Sequence, residues 1–246
     1  MNVVKRALKF LLLILFFLGL GLEMSAQTLD SYEYNSEFTW GINKNSYGGL
    51  IGGITFKRGR RVSKKQFETF GLEIVNLKNP HEVRVQAASG NYFIYGKSNY
   101  LYALRLQYGR DLILFTKGPQ QGVEVKAVFA AGPTIGILTP YYVQVDPTGG
   151  NGYYTYNAPY TTNLPYGEIE GTGSLFEGIG QSSIQMGGNF KVALNFELGT
   201  VKSQVTGFEA GFLLDAYLHT VELVPAAENY NLYPTVFLTI FYGSRK

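Results

Sequence analysis

The chain contains no cysteine. That excludes disulfides, thiolate metal sites, catalytic thiols and the acylated cysteine of a lipoprotein. Only two histidines, His81 and His219, are available for imidazole chemistry. His, Asp and Glu do not cluster at ligand spacing, so no metal and no cofactor is expected. The glycine-rich pieces Gly48–Gly53 and Gly171-Thr172-Gly173 lack the strand-to-helix context of a phosphate loop. A net charge of +3 gives no footprint for nucleic acid. Beyond the first two dozen residues, no apolar run is long enough for a transmembrane helix.

The N-terminus reads as an export signal. Lys5 and Arg6 are basic, Ala7 to Leu22 is almost wholly apolar, and Met24-Ser25-Ala26-Gln27 offers small residues for cleavage. Residues 1–27 are therefore read as a cleaved signal peptide. Residues 28–246, about 220 of them, form one domain by size. Thirty glycines, nineteen tyrosines and seventeen phenylalanines favour a β protein over a helical one.

Alternation decides the class. From Ser183 to Leu198, Ile184, Met186, Phe190, Val192, Leu194, Phe196 and Leu198 share one face of an extended strand. Gln185, Asn189, Lys191, Asn195 and Glu197 share the other. The next segment sets Phe208, Ala210, Phe212, Leu214, Ala216 and Leu218 against Glu209, Gly211, Asp215 and His219. Long apolar rows backed by charge suit a strand with lipid outside and a polar interior. Eight strands are predicted, at 35–42, 46–57, 67–78, 98–115, 122–145, 182–198, 204–223 and 233–243. The expected fold is all-β: a closed antiparallel up-and-down transmembrane barrel. A soluble lipocalin-like barrel is the structural rival, and it would turn Phe190, Val192, Leu194 and Phe196 inward.

Short connections alternate with long ones, which assigns long external loops to about 79–97 and 146–181 and short turns to the periplasm. Basic residues gather at the turn end, where Lys57, Arg110, Lys117, Lys202, Arg245 and Lys246 join the turn Arg58, Arg60, Arg61, Lys64 and Lys65. Anionic headgroups of the inner leaflet, or an acidic periplasmic partner, would suit that rim.

Parity points Glu73, Arg105, Glu124, Lys126, Lys191, Glu197, Glu209, Asp215 and His219 into the lumen. Glu73 is expected beside Arg105, Arg105 beside Glu124 and Lys126, and Lys191 and Glu197 beside Glu209 and Asp215. Eight strands enclose a space that side chains fill, and mixed charges there should pair. A plugged interior follows, with a narrow solute channel as the alternative. Inward glycines such as Gly53, Gly71, Gly187 and Gly211 suit tight curvature. Pro133 and Pro140 predict either a bulge near Gly132-Pro133 or an end of regular pairing near Pro140.

The segment 146–181 holds Tyr153, Tyr154, Tyr156, Tyr160 and Tyr166 among small polar residues. Binding surfaces for carbohydrate, peptide or protein use that composition; an interfacial girdle with Tyr141 and Tyr142 is the plainer account. Asp215 and His219 together invite a general-base reading, with lipid A as substrate. No serine stands nearby, and Thr220 points to the lipid side.

With leader, two-faced strands, alternating loops and an aromatic last strand (Tyr233–Tyr242) in place, the chain resembles small porin-like outer-membrane β-barrel proteins of Gram-negative bacteria, of the OmpX/OmpA-transmembrane type. The resemblance is architectural. It implies residence in the outer membrane, contact with its lipid and insertion by the barrel-assembly machinery. The His-x-Ser of eight-stranded lipid A deacylases is absent, since this chain reads His219-Thr220-Val221. Such barrels commonly end on an aromatic residue, whereas Gly243-Ser244-Arg245-Lys246 follow Phe241-Tyr242 here. The expected function is a non-enzymatic barrel that presents its Tyr-rich loops to a surface ligand or envelope protein.

Overall fold

The computed structural model describes residues 34–48, 52–87, 89–116, 122–148, 154–161, 163–174, 177–198 and 203–246. The predicted signal peptide, Tyr153, Lys117 and Lys202 lie outside these residues. Eight strands build the wall: β1 (Ser36–Asn45), β2 (Gly53–Ser63), β3 (Gln66–Leu77), β6 (Asn99–Phe115), β7 (Glu124–Pro140), β11 (Ser183–Glu197), β12 (Gln204–Val221) and β13 (Tyr230–Arg245). Each pairs antiparallel with its neighbours, and β1 pairs with β13 to close the ring. Closure leaves no edge strand and satisfies every ladder within the wall, which is what a strand crossing lipid requires.

The two faces follow parity. On β11, Ile184, Met186, Phe190 and Leu194 are exposed outside while Asn189, Lys191, Asn195 and Glu197 are buried inside. Phe212, on the outer face of β12, is 69% exposed. Apolar rows of this extent are stable against hydrocarbon, not water. The soluble alternative, with Phe190 and Leu194 turned inward, is thereby corrected. The fold is a closed antiparallel up-and-down transmembrane β-barrel of eight strands.

Two inward glycines show how the wall curves. A Cβ on Gly132 would lie 2.0 Å from the Leu106 carbonyl oxygen, and one on Gly211 would lie 2.2 Å from that of Val192. On the concave side of a small barrel, neighbouring backbones approach too closely for any side chain. Pro133 makes no bulge: β7 keeps one register with β11 from Ser183↔Leu138 to Glu197↔Glu124. The Asn189 side-chain amide instead donates to the Gly132 and Pro133 carbonyls, at 3.1 Å each. Regular pairing does end at Pro140. No register shift occurs at Arg110, so Asp111 continues the inward row.

At one end of the barrel the connections are folded. β4 (Val83–Gln86) and β5 (Tyr92–Tyr95) form a hairpin. β8 (Tyr142–Val145), β9 (Tyr156–Pro159) and β10 (Ile169–Thr172) form a three-stranded sheet in the order β10-β8-β9. Residues 142–145, expected to continue the fifth barrel strand, belong to this cap. At the other end β2 runs to Ser63 and turns at Lys64-Lys65. The expected basic turn is therefore mostly strand: Arg58 and Arg60 face outward beside Phe56, and Arg61 donates inward to the Tyr34 carbonyl at 2.7 Å.

Candidate functional site

The lumen is built from the inward row of each strand, and its cross-section is filled at three levels. Nearest the cap, Val75, Leu77, Leu101, Leu138, Tyr217 and Tyr233 make an apolar plug. The rings of Tyr217 and Tyr233 meet edge to face at 5.9 Å.

Below that plug, Arg105 organises the middle level. Its Nε and Nη2 donate to Asp215 at 3.0 and 2.6 Å, and its Nη1 to Glu73 at 3.1 Å. The fork of the guanidinium matches one carboxylate and leaves a donor for the second. Glu73 also accepts from Lys191, whose Nζ lies 3.2 Å from Glu209. Glu209 meets Lys57 at 3.2 Å, and Lys57 meets Asp111 at 2.6 Å. Seven side chains from five strands thus form one continuous chain of alternating charge. A void of about 30 Å³ beside Lys57, Glu73, Lys191 and Glu209 has room for on the order of one or two waters.

The third level lies toward the turns. Lys126 sits 2.9 Å from Glu37 and 3.3 Å from Glu124, and Arg245 pairs with Glu197. Tyr34 stacks on Phe67 at 4.9 Å and donates to Glu124 at 2.8 Å, closing the lumen from below. Tyr34 precedes the first strand, and burial with Glu37 and Glu124 nearby pushes its hydroxyl well above the tyrosine range. It stays a donor.

Glu73, Arg105, Glu124, Lys126, Lys191, Glu197, Glu209 and Asp215 are all brought into this interior, each 9% exposed or less. His219 is not. β11 and β12 pair no further toward the cap than Gly187↔Tyr217, and β12 shifts register against β13 between Ala216 and Val221. With neither neighbour holding the pleat, parity lapses and His219 is exposed. Two expected neighbourhoods change as well. Arg105 pairs across the lumen with Asp215, not with Glu124 and Lys126, which stand closer to the turns. Glu197 pairs with Arg245 instead of meeting Asp215. Four members escaped the sequence reading: Glu37, Lys57, Asp111 and Arg245. Parity within the predicted strands already turns Glu37 and Lys57 inward; keeping it through Gly109 adds Asp111, and extending the last strand adds Arg245.

The cap is a second interior of a different kind. Tyr141, Val143, Val145, Phe93, Tyr100 and Ile169 form its core. The Tyr141 hydroxyl accepts from the Ile94 amide at 3.0 Å and lies 2.9 Å from the Thr172 hydroxyl. Thr172 gives its own proton to the Tyr92 carbonyl, so Tyr141 is the donor between them. Tyr141 and Tyr142 are thus cap residues, not a girdle. Lys97 is fully buried under the cap, 2.5 Å from Glu82. Burial pulls its ammonium below the usual lysine range, and Glu82 offsets only part of that.

Of the tyrosines in 146–181, Tyr160 packs into the cap core. Tyr154, Tyr156 and Tyr166 remain exposed, with Tyr154 and Tyr156 ring to ring at 6.3 Å. Tyr166 is pinned by a 2.6 Å bond to the Gln86 carbonyl. Elsewhere at this end a cleft of about 250 Å³ opens between Tyr47, Lys78, Asn79, Glu82 and Arg84.

No protein-family model and no curated protein matches the sequence. Among solved structures, the chain is similar to Ail, the attachment invasion locus protein of Yersinia pestis, crystallised with the heparin analogue sucrose octasulfate. That match has 8% identity and a TM-score of 0.38, covering 87% of this chain and 99% of the other. Neisserial surface protein A is similar at 13% identity and a TM-score of 0.35, covering 87% of this chain and 97% of the other.

Proposed function

We propose that this protein is a non-enzymatic barrel of the bacterial outer membrane that displays its folded cap to a surface ligand or envelope protein. The observation that carries this reading is the contrast between a lumen occupied by its own ion pairs and a cap with aromatic rings left on its surface. Every charged group in the middle level already holds a counter-charge, so a permeating solute would have to break buried pairs. Tyr156 stands on the cap sheet, Tyr154 just before it and Tyr166 in the short turn leading to β10, where rigid rings offer contact area at low entropic cost. An acid–base pair is disfavoured by placement: Asp215 is buried against Arg105 and Thr134, while His219 is exposed beyond the wall.

Planar-bilayer recording tests the plug. The full chain should give no steady conductance, and removal of 146–181 should leave it closed because the filled levels lie below. Steady conductance in both forms overturns the reading. Binding of cell-surface glycans and peptides, compared between the native chain and Y154A/Y156A, tests the display face. Equal binding by the two removes the tyrosines from it.

A further inference from the structure

The outer wall carries almost no charge, and apart from Lys44 near the cap end of β1 what it carries is gathered in one place. Among the described residues, the outward positions of β7, β11, β12 and β13 hold no Asp, Glu, Lys or Arg. On the adjoining strands β2, β3 and β6, four outward charges sit together at the turn end: Arg58, Arg60, Glu68 and Arg110. Strand register places them in two neighbouring rows. One row runs Ser36, Arg60, Glu68, Arg110, and the next runs Phe38, Arg58, Phe70, Tyr108. The third row, Trp40, Phe56, Leu72, Leu106, is wholly apolar. The membrane boundary on this flank therefore falls across the arginines.

Their partners are unequal. Glu68 accepts from the Tyr108 hydroxyl at 2.7 Å and lies 3.5 Å from Arg110, which also donates to Tyr108 at 3.0 Å. Glu68 and Arg110 offset each other. Arg58 and Arg60, both exposed, form no ion pair with any described residue. Two guanidinium groups two residues apart on one face stand about 7 Å apart at their roots, close enough to converge on one anion. A cation at a lipid-facing position needs an anionic partner, and a guanidinium suits a phosphate because its fork bonds two oxygens at once.

We propose that the turn end of the β2–β3–β6 wall is a binding site for an anionic phospholipid, its headgroup phosphate held between Arg58 and Arg60. The neighbouring rows argue for a lipid over an acidic protein. A ligand here meets two cations on one side and Phe38, Phe56, Phe70 and Leu72 on the other, so it must be amphipathic itself. Acyl chains would lie along those rings while the headgroup meets the arginines. The site rests on the membrane reading of the barrel but not on the display function of the cap.

The full chain is reconstituted in nanodiscs of equal phosphatidylglycerol and phosphatidylcholine, then released into native mass spectrometry to read which lipid stays bound. Phosphatidylglycerol should be retained preferentially. Removing each charge, as R58Q or R60Q, should lower that preference about fivefold. K64Q/K65Q, which removes two charges from the adjacent turn, should leave it unchanged, and R58K/R60K should retain part of it. Heat-modifiable gel migration shows that each variant is folded. Equal retention of the two lipids by the native chain overturns the site, as does an equal loss in K64Q/K65Q, which would signify diffuse attraction. Failure of the folded chain to enter discs overturns the membrane reading itself.

Discussion

The protein has two interiors, and they are held together by opposite chemistry. The barrel lumen is a column of carboxylates and cations, with Arg105 at its centre. The cap interior is a cluster of rings and branched aliphatics around Tyr141, with the buried pair Lys97–Glu82 beneath it. The wall faces lipid, so apolar residues are drawn outward and polar ones are left for the lumen, where each must find a partner. The cap stands beyond the wall and folds as a soluble protein does, apolar side inward. One chain thus obeys two rules of burial, and the border between them runs through the Tyr217–Tyr233 plug.

The sharpest way to break that contrast is to treat the lumen as if it were an apolar core. Arg105→Met places an apolar side chain of similar length among Asp215, Glu73 and Thr134. Asp215 loses both of its charge-assisted bonds and Glu73 keeps only Lys191. Stranding a buried carboxylate costs about 4 kcal/mol. The folded band on a heat-modifiable gel should therefore convert at a clearly lower temperature. R105M/D215L removes the stranded charge and should recover much of the loss. If the double variant is no better than the single one, the cost lies in packing and not in charge.

The cap should respond in the other manner, through lost apolar contact and without disturbing the wall. Tyr141→Ala removes a fully buried ring at a cost of about 3 kcal/mol, confined to the cap. Limited proteolysis should cut 146–181 much faster while the barrel's gel conversion temperature holds. Tyr141→Phe keeps the ring and loses the hydroxyl bonds to Ile94 and Thr172, for about 1 kcal/mol. A Tyr141→Ala variant that lowers barrel and cap together would show that they are one cooperative unit.

The same two rules explain what could be read in advance. Lipid and lumen impose a period of two over strands of ten to eighteen residues, so Lys191, Glu209 and Asp215 declared their side from sequence alone. His219 misled because the period holds only while neighbours pair, and pairing with β11 stops at Tyr217. Lys57 misled because β2 runs six residues past it. The cap was illegible for a stronger reason. Its strands are four residues long, with two positions per face, too few to show a period. Its partners, such as Tyr141 with Thr172, are brought together by tertiary contact that no local pattern encodes.

A gentler probe of the contrast is pH, acting on the Lys97–Glu82 ion pair buried under the apolar cap. Lys97 has its pKa lowered by burial, so the folded cap favours the neutral amine more than the unfolded chain does. As pH rises through the window between that lowered value and lysine's ordinary one, the folded state releases a proton that the unfolded state retains. Stability then increases with pH. Tyr141 works in the other direction: burial raises its pKa, so the unfolded chain ionises first and stability falls above the ordinary tyrosine range. The cap should therefore become harder to cleave as pH rises toward lysine's ordinary value and easier again beyond the tyrosine range. The check is the cleavage rate within 146–181, referred to a peptide of the same sequence. Lys97→Met should flatten the rising limb and leave the falling one. A rising limb that survives Lys97→Met would mean that another group, and not the buried amine, sets the pH response.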